Sequence, residues 1–114
     1  MGEKIRITAG GVEMLATLND SETAKKLLAV LPVKSTAQRW GDEVYFSIPL
    51  KAPGEKPQAN VPSGAIAYWP VDPSFCVFFG QTPYSPVNVL GRVDGDEHEF
   101  EAVVAGDAVR IEKA

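Results

Sequence analysis

The sequence predicts a mostly-β barrel of about eight short strands with one or two helices. Short runs of alternating apolar and polar residues recur along the chain, and only one segment shows clear amphipathic helical spacing. Glycine or proline stands at nearly every junction between these runs, as expected for short connected strands. With 114 residues the chain is long enough for one core, and we expect residues 1–114 to form a single domain.

Four strands and one helix are predicted in the first half of the chain. The strands span residues 3–8, 12–18, 33–39 and 43–48. The helix follows the second strand: Asp20 or Ser21 can cap its N-terminus, and Pro32 ends it. Its apolar stripe, which would cover an opening or a face of a sheet, consists of Ala24, Leu27, Leu28 and Leu31.

Four further strands are predicted in the second half, at residues 65–69, 74–79, 88–93 and 108–112. Residues 49–63 contain four prolines and predict an irregular excursion, because proline cannot pair within a central strand. Gly91 lies inside a predicted strand and indicates a bulge or a close approach of two backbones. Residues 94–104 predict a short acidic helix with Phe100, Val103 and Val104 as its apolar contacts.

Charge and composition argue against several classes of function. The net charge is -4 and the basic residues are scattered, whereas nucleic-acid binders cluster them, so no nucleic-acid partner is expected. No apolar run is long enough for a membrane span, and none near the N-terminus predicts a secretory signal. The single cysteine, Cys76, excludes an internal disulfide and favours a reducing, cytoplasmic location.

The sequence contains no recognisable catalytic or metal-binding motif. His98 lies in an acidic run whose spacing matches no known metal site, and acids at a helix N-terminus are explained by the helix dipole. Cys76 lies in an apolar strand, which favours a buried structural cysteine over a nucleophile. No P-loop, dinucleotide or nucleophile-elbow motif is present, so neither a metal nor a cofactor is predicted.

Aromatic side chains are the best candidates for recognition. The set comprises Trp40, Tyr45, Phe46, Tyr68, Trp69, Phe75, Phe78 and Phe79. Barrel strands point alternate residues inward, so about half of these rings are expected in the core, and the others can line an apolar concavity with a few polar groups. The predicted ligand-binding residues are Arg39, Trp40, Glu43, Tyr45, Phe46, Trp69, Phe78, Asn88 and Arg92, although Glu43 and Asn88 fit a turn-anchoring role equally well.

Four motifs carry a resemblance over nearly the whole chain. They are WGDEVYF at 40–46, YWP at 68–70, CVFFGQTP at 76–83 and VNVLGR at 87–92. Together they resemble the TM1367-like or DUF369 group of small prokaryotic cyclophilin-like proteins. The resemblance implies a closed or nearly closed cyclophilin-like β-barrel with a helix over one end, and it implies no established activity.

The order of elements also resembles that of the cyclophilins, which catalyse proline isomerisation with an arginine near the proline nitrogen. That arginine lies two residues before the Ile-Pro pair, which places it at Phe46. The pocket histidine, just before the Val-Phe-Gly segment, falls at Val87, and a small groove residue, two after the serine of the Gly-x-Leu-Ser strand, falls at Trp69. A pocket phenylalanine of that family corresponds to Phe78. The donor set is therefore missing, and the ring of Trp69 is expected to narrow or fill the groove.

Three functional hypotheses follow. The first is a binding protein whose pocket, near Phe46, Trp69 and Phe78, takes a small molecule or a proline-containing peptide. The second is a divergent peptidyl-prolyl cis-trans isomerase that uses Arg39 or Arg92 in place of the lost arginine. The third is a homodimer or partner-binding module, suggested by the aromatic content and by the proline-rich residues 49–63.

Overall fold

A computed structural model describes residues 2–80, 83 and 85–114, and over them it confirms the mostly-β barrel. Its helix α1 spans Glu22–Val30, and a 3₁₀ helix spans Glu97–Ala102. The strands of the described chain are β1 (Lys4–Ala9), β2 (Val12–Leu18), β3 (Val33–Thr36), β4 (Gln38–Arg39), β5 (Glu43–Ser47), β6 (Ala65–Trp69), β7 (Ser74–Phe78), β8 (Asn88–Val93) and β9 (Ala108–Lys113).

All nine strands of the described residues form one sheet, in the order β3-β9-β1-β2-β8-β6-β7-β5-β4. The two edge strands, β3 and β4, are consecutive in the chain and only Ala37 separates them. The sheet therefore curls until its two edges meet, which gives a nearly closed barrel. At the junction the amide of Ala37 donates to the carbonyl of Asp107 at 2.8 Å, and its carbonyl accepts from the amide of Gly106 at 2.9 Å.

This closure corrects the prediction of one strand over residues 33–39. Val33 pairs with Ile111 of β9, whereas Arg39 pairs with Val44 of β5, so the segment contributes to both edges of the sheet. A weak alternation pattern does not reveal such a change of partner, because pairing depends on residues far away in the sequence.

The core fills the barrel interior from alternate strand positions. On β5 the interior residues are Val44 and Phe46, and on β7 they are Phe75, Val77 and, just beyond the strand, Phe79. The predicted helix stripe is confirmed: Ala24 and Leu27 are buried in this core, and Leu28 and Leu31 pack against it partly buried. The Ser21 hydroxyl caps the helix by accepting from the amide of Ala24 at 3.2 Å.

The outer face of β5, β7 and β6 carries a second, smaller apolar cluster. Its buried members are Ala67, Cys76, Phe78 and Val87, and its partly buried members are Tyr45, Val61 and Trp69. These residues alternate with those of the interior, so they point away from the barrel axis. This part of the sheet is therefore covered on both faces.

Residues 49–63 form the irregular excursion that the prolines predict, and side chains fix it to the barrel. The Tyr68 hydroxyl donates to the carbonyl of Leu50 at 3.0 Å and accepts from the amide of Ala52 at 3.1 Å. The Glu55 carboxylate accepts from the amides of Glu22 and Thr23 in the first turn of α1, at 3.0 and 2.9 Å. One isolated bridge joins Gln58 to Val87.

The acidic helix is shorter than predicted. It is a 3₁₀ helix of six residues, and Phe100 and Val103 are buried as expected. Val104 is 58% exposed, which corrects its expected role as an apolar contact. The chain has already left the helix there, and the amide of Val104 donates to the Asp107 carboxylate in the turn before β9, at 3.0 Å.

Both expectations for Gly91 are confirmed. The register of β6 against β8 shifts between Ile66 and Ala67, opposite Gly91. Gly91 has a φ of +151°, and a Cβ at this position would collide with the carbonyl oxygen of Thr17. The glycine therefore allows β2 and β8 to pair closely beside the bulge.

We predict that Gly91→Ala lowers the free energy of unfolding by about 2 to 4 kcal/mol, because the collision adds to the backbone strain. The matched control is Gly106→Ala, which has a φ of +98° but open space around the new methyl group. That variant is expected to lose about 1 kcal/mol from strain alone. Urea unfolding of both variants measures the difference, and equal losses would contradict the close approach.

Candidate functional site

A pocket of about 240 Å³ opens on the outer face of the barrel at β5, β6 and β7. Its described lining consists of Trp40, Glu43, Tyr45, Trp69, Pro83 and Val87. Three of these six residues are aromatic, and Glu43 is the carboxylic acid among them. The pocket thus combines apolar walls with one polar group, which is the common form of a small-ligand site.

The turn before β5 brings Trp40 and Glu43 to the pocket. Their backbones exchange two hydrogen bonds, from the amide of Trp40 to the carbonyl of Glu43 at 3.0 Å and in the reverse direction at 3.1 Å. Gly41 has a φ of +58° within this turn, a conformation that glycine adopts without strain. Tyr45 lies two residues beyond Glu43, so both side chains project from the outer face of β5.

Tyr45 and Trp69 form a corner of the pocket. Their ring centroids are 6.2 Å apart and their planes meet at 86°, an edge-to-face contact. The rings belong to β5 and β6 and meet across β7, where the register partner of Tyr45 is Cys76 and that of Trp69 is Ser74, both small residues. The indole nitrogen of Trp69 donates to the Ser85 hydroxyl at 2.6 Å, which fixes the orientation of the ring.

The Glu43 carboxyl is buried, with 5% of the residue exposed. Burial raises the pKa of this carboxyl to about 7, although a hydrogen bond with the Cys76 thiol acts in the opposite direction. No lysine, arginine or histidine of the described chain forms an ion pair with Glu43. The acid can therefore hold or release a proton near neutral pH without a cationic partner from the protein.

Cys76 is a buried thiol, as expected from its apolar strand. Burial raises the pKa of this thiol well above its ordinary value, and the negative charge of Glu43 raises it further. A nucleophilic cysteine requires the opposite shift, towards the thiolate. Cys76 therefore serves as a hydrogen-bonding partner of Glu43 and as a packing group of the outer cluster.

Four of the nine predicted ligand-binding residues line the pocket: Trp40, Glu43, Tyr45 and Trp69. Phe78 is buried in the outer cluster together with Trp69 and Val87. Phe46 points the other way, into the barrel, where its ring stacks on Phe75 at a centroid distance of 5.1 Å. Phe46, the position that corresponds to the cyclophilin arginine, thus faces the core, whereas its neighbour Tyr45 faces the pocket.

Arg39 connects the turn before β5 to the 3₁₀ helix. Its guanidinium donates to the carbonyls of Gly41, Glu101 and Val103, at distances between 2.7 and 3.2 Å. It also lies over the Phe79 ring, 5.2 Å from the centroid. These contacts hold the turn that carries Trp40, and the guanidinium is not part of the pocket lining.

The remaining two predicted residues also lie outside the lining. The Asn88 side chain is buried, and its oxygen accepts a hydrogen bond from the amide of Glu55 at 2.8 Å. Its nitrogen donates to the carbonyl of Pro53 at 3.0 Å and to the hydroxyl of Thr23 at 3.2 Å. Asn88 thus anchors residues 49–63, the alternative role considered for it. Arg92 is exposed on β8, opposite Thr17 and Ala65.

Sequence reasoning did not select Pro83 and Val87, which complete the lining. For Val87 a signal existed, because motif counting placed the cyclophilin pocket histidine at this position. Trp69, which was expected to narrow or fill the groove, contributes to the lining of the open pocket.

The acidic run around His98 brings three potential metal ligands within 4.8 Å of one another, on Asp96, Glu97 and His98. The Asp96 carboxylate already accepts from the amide of His98 at 3.0 Å and contacts its ring nitrogen at 3.1 Å. This is the geometry of a helix N-cap, so the cluster is explained without an ion. Across the described chain, no helix combines the length and apolarity that crossing a membrane requires.

We predict that stability falls as the pH rises through the titration of Glu43. The folded protein holds this proton more tightly than the unfolded chain, so its stabilising effect is complete below about pH 4.5 and is lost as the pH rises through about 7. A shift of this size corresponds to about 3 kcal/mol for a fully buried group, and the open pocket reduces the expected loss to about 2 kcal/mol.

Glu43→Gln provides the control, because a neutral amide replaces the protonated acid. Urea unfolding at about pH 5.5 and about pH 8.5 should show a smaller pH dependence in this variant than in the wild type. The comparison cancels the contribution of His98, whose pKa is raised by its hydrogen bond with Asp96. An identical pH dependence in the two proteins would contradict the elevated pKa of Glu43.

Comparison with known proteins places the chain in a family. A sequence model described as cyclophilin-like matches residues 3–112. The solution structure of a hypothetical protein from Archaeoglobus fulgidus is similar, with 32% identity, a TM-score of 0.84 and coverage of 99% of this chain and 95% of that one. McbB, solved in complex with tryptophan, is similar with 17% identity and a TM-score of 0.77 over 96% of this chain and 44% of that one, a likeness of fold alone. No protein with a curated description matches. The extent of the family match shows that this chain belongs to the cyclophilin-like family.

Proposed function

We propose that this protein binds a small organic ligand, or one side chain of a peptide, in the pocket lined by Trp40, Glu43, Tyr45 and Trp69. The observation that supports the proposal is the corner formed by Tyr45 and Trp69 above a buried acid. A protein surface rarely keeps two tryptophans and a tyrosine around a concavity unless the rings contact another molecule. Both tryptophans of the chain contribute to this lining.

The size of the pocket limits the ligand. Its volume of about 240 Å³ is below the range of about 300 to 1,000 Å³ that is typical of drug-sized ligands. A single ring, a short alkyl group or one amino-acid side chain is therefore the expected occupant. Tryptophan is a useful probe because McbB, which shares the fold, has been solved with it.

Binding is favoured over proline isomerisation. The described lining contains no arginine, and the guanidinium of Arg39 is held by three backbone carbonyls. Stabilisation of a twisted proline peptide needs a donor near the proline nitrogen. Membership of the TM1367-like or DUF369 group, a prokaryotic source and a cytoplasmic location are further parts of the proposal, supported by the quoted motifs and by the single reduced cysteine.

We predict that ligand binding changes the intrinsic tryptophan fluorescence. Both tryptophans line the pocket, so the signal has no background from tryptophans elsewhere in the protein. The panel comprises choline and N-acetylproline amide, which are followed by fluorescence titration and thermal unfolding, and L-tryptophan and indole, which fluoresce themselves and are followed by thermal unfolding alone. At least one probe is expected to shift the emission and to raise the melting temperature.

Trp69→Leu should weaken binding of that probe about fivefold, because an aromatic contact contributes roughly 1 kcal/mol beyond the area it buries. Leu15→Ala is the matched control, since Leu15 is an exposed apolar residue on β2, outside the pocket lining. If no probe changed either signal, or if both variants weakened binding equally, the proposed pocket would not be the binding site.

A further inference from the structure

The described lining of the pocket contains an acidic residue but no basic residue. That acidic residue is Glu43. Glu43 is buried, and among the described residues its carboxyl forms a hydrogen bond with the neutral thiol of Cys76 but no ion pair. A buried carboxylate without a positive partner is costly, and a ligand that supplies the positive charge would remove that cost.

The aromatic walls favour the same kind of ligand. The face of an indole or phenol ring carries partial negative charge, and it attracts ammonium groups within about 6 Å of the ring centroid. Trp40, Tyr45 and Trp69 surround the pocket, and two of these rings meet at a right angle. Aromatic cages that bind quaternary ammonium groups are built from rings in this way.

We infer that the ligand of this pocket carries an alkylammonium or quaternary ammonium group, held among the rings of Trp40, Tyr45 and Trp69 with the Glu43 carboxylate as its counter-ion. This inference rests on the proposed binding function and specifies the ligand class. The group can belong to a free small molecule or to a methylated lysine side chain, and the two sources share the same recognition chemistry.

The protonation of Glu43 makes such binding depend on pH. Among the described residues, the titratable groups beside the carboxyl are Cys76 of β7, which hydrogen-bonds with it, and Tyr45 on the same face of β5. Arg39 and Asp42 are its charged neighbours in the chain. The thiol stays protonated because burial raises its pKa. A cation therefore binds the ionised form of Glu43, and its affinity rises as the pH passes through about 7.

The decisive experiment compares choline with 3,3-dimethylbutan-1-ol, a neutral molecule of nearly the same shape. Titration of the whole protein, followed by tryptophan fluorescence and calorimetry, is expected to show choline binding at least about tenfold tighter than the alcohol. Choline should also bind at least about tenfold tighter at about pH 8.5 than at about pH 5.5. An acetylated trimethyllysine amide is titrated in parallel. If it binds more tightly than choline, the ligand is a methylated lysine side chain of a peptide; if choline binds more tightly, the ligand is a free small molecule.

Glu43→Gln should weaken choline binding about tenfold, abolish its pH dependence and leave the alcohol unaffected. Glu13→Gln is the matched control: it removes one negative charge on β2, where Glu13 is exposed and pairs with Arg6 at 3.0 Å. Choline binding by this variant should equal that of the wild type. The comparison of choline with the alcohol needs no variant, so it decides the inference even if Glu43→Gln does not fold.

The outcomes separate the inference from the proposed function. Equal binding of choline and the alcohol, or binding of indole or tryptophan without binding of choline, would overturn the cationic ligand and leave the pocket as a binding site. Choline binding that Glu43→Gln does not change would overturn the role of the carboxylate. The absence of binding by every probe would overturn both.

Discussion

The meeting of the two sheet edges at Ala37 is the constraint on which the rest of the structure depends. Because β3 and β4 are consecutive in the chain but lie at opposite edges, the sheet must close around one interior. The chain leaves β4 directly into the turn that carries Trp40 and then enters β5. Closure therefore fixes both the core and the position of the pocket, and Arg39 strengthens it by binding the carbonyls of Glu101 and Val103.

Because side chains alternate along a strand, one face of the sheet forms the core and the other face forms the pocket. On β5, Val44 and Phe46 fill the interior, while Glu43 and Tyr45 build the outer pocket. On β7, the small side chains of Cys76 and Ser74 lie opposite Tyr45 and Trp69, whose rings meet across this strand. A buried carboxylate without a cationic partner costs free energy, and proteins commonly accept such a cost at sites that bind or react.

Buried polar groups hold the irregular part of the chain in place. The amide of Asn88 and the hydroxyl of Tyr68 bond the backbone of residues 49–63, which have almost no strand partners of their own. The Glu55 carboxylate joins this segment to α1 by accepting hydrogen bonds from two amides at the N-terminus of the helix, where a negative charge is favourable. Among the described residues, no buried side-chain nitrogen or oxygen lacks a hydrogen-bond partner.

Apart from the segment 33–39, the sequence alone determined the strands. It also determined the helix with its apolar stripe, the bulge at Gly91 and the cyclophilin-like family, because these depend on local periodicity, on turn residues and on motifs of contiguous residues. It also indicated Trp40, Glu43, Tyr45 and Trp69 as candidates for a pocket. Only the tertiary structure separated them from Phe46 and Asn88, because the face on which a side chain lies depends on register and barrel closure. The tertiary structure also divided residues 33–39 between the two edges of the sheet and placed Trp69 in the lining of the pocket. Both results depend on strand partners that are distant in sequence.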